Sequence, residues 1–343
     1  MPTPSLVLQT TYAELMDRCA QAAFGETFTA EGVFTPKTVK GRRYWYFQSS
    51  SKDGRVQKYV GPETSGLLKQ IEEHRRAKED ERERRSLVST LVRSFAMPQP
   101  PLEVGAIVAA LAQAGVFRLR GVLVGTVAYQ TYAPMLGTPL PAAALQTGDV
   151  DIAQFKNVSV AVEDRTGPML DVLRQADASF RAVPTVYRQK VTSYRASGGF
   201  RVDFLTPNEG RDTDKPQHLL ALQTDAQPLR FLDFLIHDPQ PAVLLHGAGI
   251  YVNVPAPERF AVHKLIVSRR RKVDAAKRDK DVRQAEALIE VLLERRPHEL
   301  RAAWDEAYAR GVEWRRLLRE AVELLSVDVR ARLSRHVDPS VER

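Results

Sequence analysis

The sequence predicts an α+β fold in which a small mixed sheet is flanked by helices, between an N-terminal β-hairpin and helix region and a helical C-terminal lobe. The most apolar runs, 121–129 and 241–254, are short and rich in β-branched residues or glycine, which is typical of buried strands. Residues 102–115 instead place apolar side chains at helical spacing. Residues 231–236 add further predicted strand material. From Pro257 onward the pattern is helical to the end, so strands and helices are segregated along the chain.

Charge and proline divide the chain into three predicted regions. The stretch from Leu67 to about Phe95 contains helix formers throughout and is dense in charges of both signs, as expected of an exposed connecting helix. A proline-rich run, Met97-Pro98-Gln99-Pro100-Pro101, ends this helix and marks a boundary. The predicted regions are 1–98, with an N-terminal helix, a basic aromatic hairpin and the connecting helix; 99–256, the mixed-sheet core; and 257–343, the helical lobe.

Composition restricts the classes of function. The 343 residues carry a net charge of +8, which favours anionic partners such as nucleotides or nucleic acid. The single cysteine, Cys19, excludes a disulfide scaffold and a cysteine-rich zinc site. The N-terminal stretch lacks the pattern of a signal peptide, and no run approaches the ~18 apolar residues that span a bilayer. We therefore expect a cytoplasmic protein with no membrane association.

The N-terminal region contains a predicted β-hairpin with an unusual composition. The run 43–48 is aromatic and strand-like, 52–55 contains an Asp-Gly turn, and 56–60 makes the return strand. Cations and stackable rings on a small sheet suit single-stranded or structured nucleic acid. The rings could equally form the core of this sheet, and the hairpin could instead contact a protein acceptor. The side chains concerned are Lys40, Arg42, Arg43, Lys52, Arg55 and Lys58 around Tyr44, Trp45, Tyr46 and Phe47.

The core region carries its chemistry on predicted strands. In Asp149-Val150-Asp151-Ile152 the two carboxylates share one face, because side chains alternate along a strand, and the two apolar residues face the core. Two carboxylates so placed repel each other, which is typical of a cation site. Hard oxygen ligands favour Mg²⁺ or Mn²⁺ as the cation.

A third acid follows on a later strand. Asp203 lies opposite the apolar face formed by Phe200, Val202 and Phe204, where a neighbouring strand could present it beside the pair. Three carboxylates on adjacent strands can hold two metal ions about 4 Å apart, which suits phosphoryl or nucleotidyl transfer.

A Gly-Thr turn precedes these acids. Val124-Gly125-Thr126 ends a predicted strand and opens the predicted helix 127–136. Backbone amides at a helix N-terminus favour phosphate, Gly125 permits close backbone approach, and Thr126 offers a hydroxyl. The chain has no P-loop motif, so a P-loop enzyme is not expected.

This order of elements resembles the polymerase-beta-like nucleotidyltransferase superfamily, whose signature is h-G-G or h-G-S, a helix, D-h-D-h and a later third acid. The signature glycine falls on Gly125, its small hydroxyl position on Thr126, and its acids on Asp149, Asp151 and Asp203. The fuller run G-T-V-A-Y-Q-T-Y-A-P-M-L-G followed by T-G-D-V-D-I-A-Q resembles a bacterial family of nucleotidyltransferase-fold proteins with poorly defined substrates. The resemblance covers about residues 100–300. The gap between Thr126 and Asp149 is longer than usual and contains a loop insertion around 137–141.

The resemblance implies metal-dependent transfer of a nucleoside monophosphate from an NTP to an acceptor hydroxyl on RNA or tRNA, a protein or a small molecule. It also implies a nucleotide-binding role for Lys264, for which a surface position is the alternative, and for Lys280 and Asp281, which could instead form a local ion pair within a helix. The alternative function is a catalytically idle nucleotidyltransferase core that binds nucleic acid.

Overall fold

The computed structural model describes residues 5–24, 33–39, 42–51, 54–141, 145, 147–157, 165–187, 189–271 and 274–337. It is an α+β protein with three sheets and a C-terminal group of helices, as the sequence predicts. None of the described helices is long and apolar enough to cross a membrane.

The N-terminal region contains a three-stranded antiparallel sheet, preceded along the chain by one helix and followed by another. The order β1-β2-β3 includes a strand, β1, that the sequence analysis did not predict. Helix α2 begins after Thr64, whose side chain accepts a hydrogen bond from the backbone of Leu67, and ends at Ala96 in the left-handed region with φ of 53°. The elements are α1 (Leu6–Phe24), β1 (Val33–Val39), β2 (Arg42–Ser51), β3 (Gly54–Pro62) and α2 (Ser65–Phe95).

Helix α1 packs onto the rest of the molecule rather than onto the small sheet. Its fully buried Leu15 belongs to the main hydrophobic core, and the Tyr12 hydroxyl accepts a hydrogen bond of 3.2 Å from the backbone N–H of Val243. Cys19 is also buried in this contact, where it packs as a small apolar residue.

A mixed seven-stranded sheet forms the centre. Its main order is β4-β5-β8-β10-β9, and β6 and β7 continue from one end of β8. The pairs β5–β8 and β8–β10 are parallel, and the remaining pairs are antiparallel. The strands are β4 (Val122–Val124), β5 (Asp149–Ala153), β6 (Arg181–Ala182), β7 (Ser193–Arg195), β8 (Arg201–Pro207), β9 (Gln217–Leu219) and β10 (Thr224–Leu229).

One face of this sheet is core and the other carries polar groups. Val150, Ile152, Val202 and Phe204 are fully buried on the first face, because they alternate with the polar residues of β5 and β8. A hairpin of β11 (Gln240–Leu244) and β12 (Ile250–Val254) packs beside β4. The core helices are α3 (Leu102–Gln113), α4 (Gly125–Leu136), α5 (Met169–Ala176) and the short α6 (Leu232–Leu235).

Residues 231–236 correct one prediction. The run was predicted as strand material, but the structure forms α6 there, entered through Phe231 in the left-handed region with φ of 66°. A six-residue run with a single polar residue, Asp233, is too short to show a period, so sequence alone could not separate the two possibilities.

The C-terminal lobe is helical, as predicted. Helices α7 and α8 pack closely against each other, and α9, α10 and α11 add to this pair. Their bounds are α7 (Pro257–Arg270), α8 (Ala275–Arg295), α9 (Pro297–Ala309), α10 (Val312–Val322) and α11 (Val327–Val337).

Candidate active site

A cavity of about 960 Å³ lies between the polar face of the central sheet and helices α7 and α8. All eight residues that the sequence analysis selected line it, from the β4–α4 turn, from β5 and β8, and from the two helices. They are Gly125, Thr126, Asp149, Asp151, Asp203, Lys264, Lys280 and Asp281. The structure therefore brings together residues that are up to 156 positions apart in the chain (125 to 281).

Strand register places the three carboxylates side by side. Asp151 is the direct partner of Asp203 in the parallel pair β5–β8, and Asp149 shares their face one alternation along β5. Asp151 is the central acid. Burial, followed by the charges of Asp149 and Asp203, raises the pKa of its carboxyl to about 7.

The outer two acids have protein partners. The Thr147 hydroxyl donates to Oδ1 of Asp149, and the Ser193 hydroxyl donates to Oδ1 of Asp203. The same Asp203 oxygen accepts a hydrogen bond of 2.7 Å from Nε of Arg201, which also lies on β8. Within the described ranges no three acidic, histidine or cysteine side chains already converge as a ligand group. Arg201 and Ser193 occupy Oδ1 of Asp203.

The turn at Gly125, which leads into α4, lies in close contact with Asp151. Gly125 has φ of +67°, and a Cβ at this position would lie 2.3 Å from Oδ2 of Asp151. Antiparallel pairing of Val124 with Asp151 produces this approach, because it brings the end of β4 directly beside the acid. The next residue, Thr126, is 7% exposed, and its hydroxyl faces Gln284 of α8 at 3.5 Å.

The opposite wall of the cavity is cationic. Nζ of Lys264 on α7 lies 2.5 Å from one carboxylate oxygen of Asp281 on α8, and Nε of Arg271 lies 2.5 Å from the other. The side chain of Asp281 is 4% exposed; burial alone would raise its pKa, but Lys264 and Arg271 hold the pKa below its usual value. Asp281 therefore contacts two cations of the wall and fixes their positions.

Lys264 and Asp281 both lie inside the protein. Only 9% of Lys264 is exposed, so it does not occupy the surface position that was the alternative. Asp281 pairs with Lys264 of the neighbouring helix and with Arg271. Lys280 also lines the cavity, and burial followed by the charge of Lys264 lowers its pKa.

Sequence analysis missed several residues of the cavity. Arg270, Arg271 and Lys277 add to the cationic wall. They belong to the basic run from Arg269 to Arg283, which could equally have been a solvated face, so the charge run was the only signal. His263 also lines the cavity; burial lowers the pKa of its imidazole to about 3, which keeps the ring neutral.

The basic aromatic sheet of the N-terminal region does not line this cavity. Trp45 is 5% exposed, and its Nε1 donates to Glu63 at 3.0 Å, so this ring belongs to the structure of the sheet. The Lys37 ammonium lies 4.9 Å from the ring centre of Tyr46. Lys40, Lys52 and Asp53 lie outside the described residues, as do the side chains of Arg42, Phe47, Arg55 and Lys58.

Comparison with known proteins finds a family match over the part of the chain that forms the cavity. A family model described as "Nucleotidyltransferase" matches residues 102–309, more than half of the chain. Among solved structures, the chain is similar to an antigenic nucleotidyltransferase-like protein from Paracoccidioides brasiliensis, at 15% identity and a TM-score of 0.31, over 65% of this chain and 94% of that one. No curated protein has significant similarity to the sequence.

Proposed function

Because the chain belongs to the nucleotidyltransferase family, we propose that it transfers a nucleoside monophosphate from an NTP to an acceptor hydroxyl and releases pyrophosphate. One observation carries the proposal: three carboxylates in strand register face a wall of lysines and arginines across a single cavity. The cationic wall suits a polyanionic substrate, and the carboxylates opposite suit a divalent cation that would accompany it.

We further propose that the carboxylates hold Mg²⁺ or Mn²⁺. The donor set consists of hard oxygens. Burial, followed by the repelling charges of Asp149 and Asp203, raises the pKa of Asp151. A divalent cation beside Asp149 and Asp151 would relieve this repulsion, and Asp203 would join it by giving up or sharing its contact with Arg201. When bound, the metal would polarise the transferred phosphoryl group and lower the pKa of the attacking hydroxyl.

The remaining residues have roles that follow from their positions. The Gly125 turn exposes backbone amides at the N-terminus of α4, and Thr126 adds a hydroxyl, which together favour a phosphate group. Lys264, Arg271 and Lys280 would neutralise the triphosphate and the departing pyrophosphate. Asp203 would accept the proton of the acceptor hydroxyl.

The test follows label transfer from each α-labelled NTP in the presence of Mg²⁺, with three arms: total RNA, a protein extract, and a small-molecule extract as acceptors. We expect transfer by the wild-type protein and a loss of at least about 10³-fold in Asp149→Ala. Asp171→Ala is the matched control, because Asp171 is an exposed acid in the first turn of α5, remote from the cavity.

Two outcomes would contradict the proposal. Equal transfer by Asp149→Ala and wild type would show that the label is attached without this site. Failure of the wild-type protein to bind any NTP would favour the alternative, an idle core that binds nucleic acid. In that case Asp149→Ala should leave RNA affinity unchanged or raise it, because a repelling charge is removed.

A further inference from the structure

Three arginines form a row across neighbouring strands of the central sheet. Arg181 on β6 is the direct partner of Arg195 on β7, and Arg195 is the direct partner of Arg201 on β8. On its other side, Arg201 is the partner of Asp149 on β5. One continuous line of paired residues therefore runs from the edge of the sheet to the first carboxylate of the cavity.

The row lies on the polar face of the sheet. Directly paired residues point to the same side, and the alternate positions Tyr194 and Val202 are buried on the core side. Arg181, Arg195 and Arg201 are all exposed. Their guanidinium groups thus share a face with the carboxylates and open to solvent.

Among the described residues, acidic side chains compensate only part of the charge of this row. Arg201 is paired with Asp203, but neither Arg181 nor Arg195 has an acidic partner among the described residues. Like charges placed directly opposite each other destabilise a sheet. An anionic ligand that lies along the row would remove this cost, and the row is the part of the sheet surface that leads into the acid site.

Strand spacing gives the dimensions of the ligand. Neighbouring strands are about 4.8 Å apart, so the three guanidinium positions extend over about 10 Å. This length matches two or three successive phosphates of a polynucleotide better than one isolated anion. Arginine is also the side chain best suited to bidentate contact with phosphate oxygens.

We propose that the acceptor is the single-stranded 3′ end of an RNA, whose backbone phosphates lie along Arg181, Arg195 and Arg201. This inference rests on the proposed function and names its acceptor. The terminal ribose oxygen forms a bond to the α-phosphorus of the NTP, and the bond between the α-phosphorus and its bridging oxygen breaks. Pyrophosphate leaves with that electron pair, and the hydroxyl proton passes to Asp203.

Binding of a fluorescent, unstructured oligoribonucleotide to the full-length protein without divalent cation tests the row separately from catalysis. The variant Arg181→Gln/Arg195→Gln removes two cations that touch none of the three carboxylates. We expect its Kd for the oligoribonucleotide at about 0.1 M salt to rise about tenfold. The steepness with which the logarithm of the binding constant falls against the logarithm of salt concentration should decrease by about 1.4, at about 0.7 for each lost phosphate contact to a single strand. Arg201 is left intact because it contacts Asp203.

The matched control is Arg319→Gln/Arg335→Gln, which changes the net charge equally on exposed residues of α10 and α11. An equal loss of affinity in the control, or no loss in the row variant, would overturn the proposal. So would wild-type transfer of label to a protein or small molecule but not to RNA. NTP binding, measured on both proteins, separates the two hypotheses. If the wild type binds no NTP, the proposed function fails. If both proteins bind NTP and the row variant keeps the RNA affinity of the wild type, only the proposal about the arginine row is contradicted.

Discussion

Gly125→Ala tests the geometry at the centre of the site with a single added methyl group. Gly125 combines φ of +67° with a position at which a Cβ would lie 2.3 Å from Oδ2 of Asp151. The substitution therefore has two separable effects: strain in the backbone of the turn, and displacement of the carboxylate that lies against it.

Both effects have a magnitude. An L-residue in the left-handed region costs roughly 1–2 kcal/mol, which should appear directly in the free energy of unfolding. To regain van der Waals contact at 3.4 Å, the Asp151 oxygen must move by about 1 Å. Misplacement of a catalytic group by about 1 Å typically lowers the rate by about 10²-fold, so kcat/KM for nucleotidyl transfer should fall by about that factor.

Gly247→Ala is the control for the backbone effect alone. Gly247 also has a positive φ, +59°, but nothing lies within 4 Å of the Cβ that would be added, and it occupies the turn between β11 and β12. Chemical denaturation should show a similar loss of stability in both variants, whereas transfer activity should fall in Gly125→Ala only. Full activity of Gly125→Ala, or an equal loss of activity in Gly247→Ala, would refute the role of this contact.

Three further predictions concern charge. First, without divalent cation the free energy of unfolding should fall as the pH rises from about 4 to about 7, because burial raises the folded pKa of Asp151 to about 7 from an unfolded value of 3.8; Asp151→Asn should flatten this profile in denaturation experiments. Second, Asp281→Asn should lower the free energy of unfolding by about 2–4 kcal/mol in a urea titration, because it leaves two cations uncompensated. The control Asp279→Asn changes an acid that is 51% exposed and should lower it by less than about 1 kcal/mol. Third, Lys280→Gln should weaken NTP binding about tenfold in a fluorescence titration, since Lys280 lines the cavity; unchanged affinity would remove it from the nucleotide site.

The placement of the acids could be predicted because strand periodicity is local information. Val150 and Ile152 had to be buried, so Asp149 and Asp151 had to face the other way, and Asp203 follows from the same alternation on its own strand. The direct pairing of Asp151 with Asp203 is different. It depends on the order of strands in the sheet, which no single strand encodes.

The cationic half of the site shows where local reasoning ends. Lys280 and Asp281 are adjacent on one helix, where successive side chains point about 100° apart. The actual partner of Asp281 is Lys264, 17 positions earlier on another helix. The arginine row was invisible for the same reason, since Arg181, Arg195 and Arg201 become neighbours only through the registers of three strands.

The pairing of β4 with β5 has a consequence for how the chain can vary. Val124 lies opposite Asp151, so hydrogen bonds between strands fix the position of Gly125 beside the acid, whatever the length of chain that joins them. That connection continues from Gly137 at the end of α4 to Gly148 before β5. Chain entropy changes slowly with the length of a connection, by about 0.6 kcal/mol for each doubling, whereas the strand pairing does not depend on that length. The number of residues between the glycine and the acid pair is therefore a poor criterion for relating one such chain to another.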